Sequence, residues 1–384
     1  MNGKSKERIP VPSGITRRTP RQPDGDGFVV CCSGGIRAIQ QDKDVWFIEP
    51  VFDAGLCAKG VVSAQQVQAL LKQSGLREIA FHRTGWFKGE YHSSWSPIVP
   101  GRKNHMIGPA DIWGQIAGNL SRARTAPEIK TLDKPSHQQV VALLDARGEI
   151  ERLAQSISLS LRNMDMSIEQ IAEFYNKQLS NHVASGLFDG RRSTTTMDQM
   201  LYAHVHGFFM HLGAARDYLA TLVGFRLGKD LQKKDSLARL VDVLRIDDFG
   251  TDALLDIFTG RGYLRKKAAS ANKVEVAGWL AEITDLRNLL MHKRPYGARF
   301  AEHMGYAVAV DAASGLYRYT RPIVLDDGEH DVLDLILQHY RTACSLFFDC
   351  AERSGWNTAM LTLTDADIIS TTDMVGEADG TPQG

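Results

Sequence analysis

VEVAGWLAEITDLRNLLMHKRPYG, residues 274–297, is the stretch on which the second half of this chain turns. At about 100° per residue, Trp279, Ile283, Leu286 and Leu290 fall on one narrow stripe. That stripe is the seam of an amphipathic helix packed on a core. The pattern predicts a helix from about 274 to 292, stopped by Pro295. On the same projection Asn288 and His292 stand one turn apart beside Asp285, almost opposite the seam. Arg287 lies at the flank, and its long stem reaches round to the polar side. The helix therefore gathers Arg287, Asn288 and His292 on the side turned away from its own seam. A solvated face accounts for such a trio at no cost. LRNMDMS, residues 161–167, repeats Leu-Arg-Asn on another expected helix, with Ser167 where the histidine would be. The histidine is thus the discriminating residue.

Working outward, 136–357 reads as a helical bundle. Apolar residues recur at three and four through 137–165, 167–186 and 194–228, with shorter helices at 235–245 and 251–259. GYAVAVDAASGLYRYTRPIVL (305–325) alternates, turns at Ala-Ser-Gly and resumes, which predicts a β-hairpin. A last helix covers 331–355. Upstream, 28–135 reads as a small α+β domain plus a connector. FVVCCSGGIRAI, VWFIEPVF, REIAFHR and WFKGEYHSSW are short strand-like runs split by Gly, Pro and Asp. SAQQVQALLKQSG (63–75) is a helix with a serine cap and a glycine stop. One helix is expected in GPADIWGQIAGNLSRA (108–123), and TAPEIKTLDKP marks a boundary by its two prolines. SGG at 33–35 lacks the context of a phosphate loop. The fold class is α+β, mainly α.

Residues 1–27 form a basic arm and 358–384 an acidic tail, both poor in large apolar residues and expected to be disordered. The 384 residues carry no formal net charge, so overall charge announces neither nucleic acid nor its exclusion. The first residues lack the apolar core of a secretory signal, and no apolar run is long enough to span a membrane. Five cysteines at irregular spacing, without a CxxC pair, read as reduced buried thiols. A cytoplasmic protein is expected.

R-N-x-x-x-H on a late helix of an α-helical bundle resembles the signature of HEPN domains (higher eukaryotes and prokaryotes nucleotide-binding). Arg287, Asn288 and His292 carry the match, and 136–357 follows the fold in outline. The resemblance implies a metal-independent endoribonuclease without cofactors. It also implies RNA as substrate, a homodimer whose two motifs meet, and a role in antiviral defence or a toxin–antitoxin pair with a partner protein. The residue types suit that chemistry. Histidine moves protons near neutral pH. Arginine offers a planar, permanently charged fork to phosphate. Asparagine orients either. Some family members carry a tyrosine two residues after the histidine, the target of a nucleotidyltransferase antitoxin; here that place is Arg294, and the nearest tyrosine is Tyr296.

Lys293, Arg294 and Arg299 follow the motif and are candidates for holding RNA backbone, although a basic helix end also suits the helix dipole. In HLGAARDYLATLVGF (211–225), Asp217 is a candidate to orient His292 or pair with Arg287, or else belongs to a plain salt bridge with Arg216. His204, His206 and His211 read as packing histidines rather than a metal site. The alternative function is a non-catalytic HEPN-like scaffold that holds a nucleotide or a protein partner. A further one is an accessory subunit sensing through its N-terminal domain.

Overall fold

Short β-branched runs separated by Gly, Pro and Asp build the antiparallel sheet that opens the chain. The computed structural model describes residues 27–50, 61–87, 90–103, 106–132, 135–231, 236–268, 272–311 and 315–362. The basic arm, the acidic tail beyond 362, Cys57 and the Ala-Ser turn of the expected hairpin lie outside the described residues. Strands β1 (Gly27–Cys32), β2 (Arg37–Asp42), β3 (Val45–Glu49), β4 (Val61–Val62), β5 (Glu78–Phe87) and β6 (Glu90–Pro97) form one sheet in the order β4-β3-β2-β1-β5-β6. Helix α1 (Ala64–Gln73) starts at Ser63, whose hydroxyl accepts the Gln66 N–H while the Gln66 side chain accepts the Ser63 N–H.

The helices are α2 (Pro109–Thr131), α3 (His137–Asp145), α4 (Glu149–Ala184), α5 (Asp198–Arg226), α6 (Leu237–Val243), α7 (Ala253–Gly260), α8 (Gly278–Asn288) and α9 (Val332–Arg353). The elements differ from the sequence expectation in four places. Helix α2 runs through Pro127 to Thr131. Pro127 and Ala123, whose carbonyl loses its donor, are both exposed, so water is at hand for that carbonyl. This helix is no connector: it packs along α4, and its Trp113 is fully buried with Nε1–H donating to the Phe347 carbonyl of α9 at 3.0 Å. Helices α3 and α4 break at Ala146–Gly148, not near 165. Ser167, where a new start was expected, donates its hydroxyl to the Asn163 carbonyl one turn back at 2.9 Å. Residues 274–276 are not helix but strand β8 (Val274–Val276), paired with β7 (Leu264–Lys266). The predicted hairpin is β9 (Tyr306–Asp311) with β10 (Leu316–Thr320), while RPIVL belongs to a second hairpin, β11 (Pro322–Leu325) with β12 (Gly328–Asp331).

Sheet and helices share one continuous apolar core, running from Val30, Ile48 and Ile79 through Trp113 into α4, α5 and α9. The joint is specific. Gly35, at φ 85°, presses its backbone on α4, and a Cβ there would lie 2.6 Å from the Tyr175 carbonyl carbon. Asn176 donates to the Gly35 carbonyl at 2.9 Å. From β6, Trp95 Nε1–H donates to the Tyr340 hydroxyl at 3.0 Å, and that hydroxyl donates to Asp165 of α4 at 2.6 Å. Asp165 is buried, and that burial pushes its carboxyl up to about 8. Residues 357–361 lie along α2, where Asn119 donates to the Asn357 and Ala359 carbonyls. Among the described residues no helix is long and apolar enough to cross a membrane.

Candidate active site

The motif helix enters from β8 and is fixed at its first turn. Trp279 Nε1–H donates to His339 Nδ1 of α9 at 3.1 Å. That bond leaves the proton of His339 on Nε2. His339 is fully buried, and burial pulls its imidazole down to about 4, so it stays neutral. The expected seam is present: Ile283, Leu286 and Leu290 are buried and Trp279 is half-buried. Thr284, one turn on from Leu280, accepts Arg216 Nη1–H from α5 at 2.7 Å.

After Asn288 the helix widens. Leu289–Lys293 form a π-turn, closed by the Arg294 N–H on the Leu289 carbonyl five residues back, at 2.7 Å. A π-turn advances only roughly 80° per residue. Five ordinary α steps would set Arg287 and His292 about 140° apart around the axis; the widened turn narrows that separation. The widened turn therefore brings the motif arginine and histidine closer around the axis than a regular α-helix would, with Arg287 lying inward on α5 and His292 exposed.

The exit is pinned. The Arg294 guanidinium donates to the Val324 carbonyl. The Tyr296 N–H donates to His206 Nε2 at 3.0 Å, so His206 carries its proton on Nδ1, and burial lowers its pKa. Glu302, 1% exposed, accepts the N–H groups of Gly297 at 2.9 Å, Arg299 at 3.2 Å and Val324 at 3.1 Å. Beneath it Arg321, with no exposed surface, pairs with Asp198 and donates Nε–H to the Glu302 carbonyl.

Arg287 does not project away from the core. It is half-buried and lies on the backbone of α5 at Gly213. Its Nε is dry and has no hydrogen-bond partner. It borders a crevice of about 10 Å³ between Phe209, Gly213, Trp279, Ile283 and Phe347, room for about one water. Asn288 is half-buried, and His292 and Lys293 are exposed. Among the described residues, the side chains of Arg287, Asn288 and His292 form no hydrogen bond or ion pair with the protein.

The chain matches no protein-family model, no curated protein and no solved structure.

The site is thus described by its own geometry. The structure brings Arg287, Asn288 and His292 onto one short segment, with Lys293 beside them. Arg294 is turned inward to Val324, and Arg299 is exposed. Asp217 is engaged elsewhere: its Oδ1 accepts Arg216 at 2.9 Å and the Leu237 N–H at the start of α6 at 3.1 Å. Among the described residues it reaches the motif helix through Arg216 and Thr284. His204 and His211 are half-buried on α5, with pKa values lowered by burial. Cys31, Cys32, Cys344 and Cys350 are buried thiols, Cys31 pushed up to about 11 by burial. Sequence reading missed Gly213, Glu302 and the π-turn. Gly213 was visible only as a glycine in an apolar helix, and the π-turn leaves no mark on the apolar spacing.

Proposed function

We propose that this protein is a metal-independent endoribonuclease of HEPN type, acting on RNA in a defence or toxin–antitoxin setting. The observation that carries the reading is the unmatched charge of Arg287. Among the described residues no protein acceptor meets any nitrogen of this half-buried guanidinium, and an anion is its natural complement. Its neighbours Arg216, Arg294 and Arg321 all have protein acceptors. A phosphodiester supplies an acceptor for the Nη groups, which are not enclosed as Nε is, and His292, five residues on and exposed, supplies an imidazole to move protons.

In this reading the 2′-oxygen of RNA attacks the adjacent phosphorus while the bond to the 5′-oxygen breaks. The products are a 2′,3′-cyclic phosphate and a free 5′-hydroxyl. His292 moves a proton on or off the reacting oxygens. Arg287 neutralises charge gathering on the non-bridging oxygens, and Asn288 orients the phosphate. Lys293 and Arg299 hold flanking phosphates. Two copies about a two-fold axis supply two such sets to one cleft.

The scaffold reading, in which the bundle holds a nucleotide or a protein partner without cleavage, finds less support in its nucleotide form. The crevice beside Arg287 admits about one water and no base.

The test is incubation of labelled RNA with the purified protein and with His292→Ala, in EDTA, followed by analysis of product ends. His292 is exposed and unpartnered, so its replacement leaves the fold intact. Cleavage by the wild type alone, with cyclic phosphate ends, is expected. Equal cleavage by both would remove His292 from the reaction.

A further inference from the structure

Gly213 lies fifteen residues into a helix of 29, flanked by Leu212 and Ala215 in the core. Nothing in the backbone asks for glycine there: φ is in the ordinary helical range. Alanine would suit such a position better, because glycine in a helix interior retains more freedom in the unfolded chain. The reason for glycine is on the neighbouring helix. A Cβ at 213 would lie 2.7 Å from Arg287 Cδ and 3.2 Å from Arg287 Cζ, and nearer still to Nε. Real Cβ atoms essentially never come within 3.0 Å of another heavy atom, so a side chain at 213 would displace the end of Arg287. The arginine stem lies in the space a side chain would fill.

We infer that Gly213 is a positioning residue for Arg287: it is the seat on which the stem rests, and it fixes where the guanidinium meets an RNA phosphate. The inference rests on the endoribonuclease reading of the motif and adds a residue outside it, on another helix. The seat acts by shape. Against Gly213 and the apolar wall of Phe209 and Ile283, the stem has few alternative rotamers, so little freedom is lost when the fork binds. The arginine one turn along, Arg216, cannot take its place. It is 7% exposed and already committed to Asp217 and Thr284.

The test is a double-mutant cycle of Gly213→Ala and Arg287→Ala, read in two ways. In denaturant unfolding, G213A should raise the midpoint in the R287A background, where the seat is empty. With Arg287 present it should raise the midpoint by clearly less, or lower it. In RNA cleavage, G213A should reduce kcat at least tenfold in the otherwise wild-type protein and have no effect in the R287A background. Should G213A fail to fold while the double variant folds, the clash is confirmed by that difference. Equal midpoint shifts in both backgrounds overturn the seat. Cleavage that depends on His292 but is indifferent to G213A overturns the positioning role and leaves the endoribonuclease standing. Coupled stabilities with no cleavage by any protein, wild type included, keep the contact but overturn the positioning role together with the endoribonuclease reading.

Discussion

Glu302 offers the sharpest test of how the motif's exit is built. It is 1% exposed, and one carboxylate serves three backbone donors: Gly297 at 2.9 Å, Arg299 at 3.2 Å and Val324 at 3.1 Å. Two of these donors sit in the loop after the π-turn, and the third is in β11. Glu302→Ala leaves all three without an acceptor. A buried donor left unsatisfied costs about 1–3 kcal/mol, and hydrogen bonds to a charged group are at the strong end. If the loop opens enough for water to reach one of the three, the loss is about 4 kcal/mol. That is a large share of the roughly 5–15 kcal/mol by which a folded domain exceeds its unfolded chain. Glu302→Gln keeps one oxygen for the Gly297 and Arg299 pair and sets an amide N–H against the Val324 N–H. Its loss should be about 2 kcal/mol. The assay is urea denaturation, with the midpoint falling in the order wild type, Gln, Ala and the slope unchanged. Amide hydrogen exchange at Gly297, Arg299 and Val324 should quicken in the alanine variant before it quickens in α4. A loss below about 1 kcal/mol in E302A, or a glutamine variant as damaged as the alanine one, would refute this account of three charge-assisted bonds.

Two further outcomes follow from buried titratable groups. Asp165 is held up to about 8, so between the ordinary carboxylate range near pH 4 and pH 8 the folded chain keeps a proton that the unfolded chain has released. The stability this gives is complete below about pH 4 and is lost as pH rises through about 8. Asp165→Asn still accepts the Tyr340 hydroxyl but cannot titrate. Melting curves from pH 5 to 9 should show a flatter decline in the variant, which overtakes the wild type at the alkaline end; parallel curves would count against a protonated Asp165. Trp279→Phe should leave His339 Nδ1 without a donor, at about 1–3 kcal/mol, measured by denaturation. No loss would mean that the indole–imidazole bond does not hold the start of α8.

Much of the motif helix could be read in advance, and the reasons are local. Ile283, Leu286 and Leu290 recur at helical spacing because they pack on one side, and burial follows the pattern. Pro295 marked the stop for steric reasons that need no partner. The strand VEV could not compete in that reading, because three residues are too few to establish alternation against a helical run beside them. Pro127 pointed to a helix end, yet α2 passes through it at an exposed position where the lost bond is cheap. The π-turn was hidden because LLMHK continues the apolar and polar texture of what precedes it. The wet-side reading of Arg287 failed for a different reason. Periodicity counts which side chains suit a core, and it cannot see a gap left by a glycine on another helix. The candidate residues were legible as types; their arrangement depended on contacts between segments far apart in the chain.

Two consecutive residues of α9 receive two tryptophan indoles from different quarters of the molecule. His339 takes that of Trp279, at the root of the motif helix, and Tyr340 takes that of Trp95, in the sheet. Helix α9 therefore works as an axle with two crank pins set side by side. If it turns to follow the sheet, the indole held by His339 must follow or the bond must break. Strain arriving at the sheet has a short mechanical route to the segment that bears Arg287 and His292, through one peptide unit of a rigid helix.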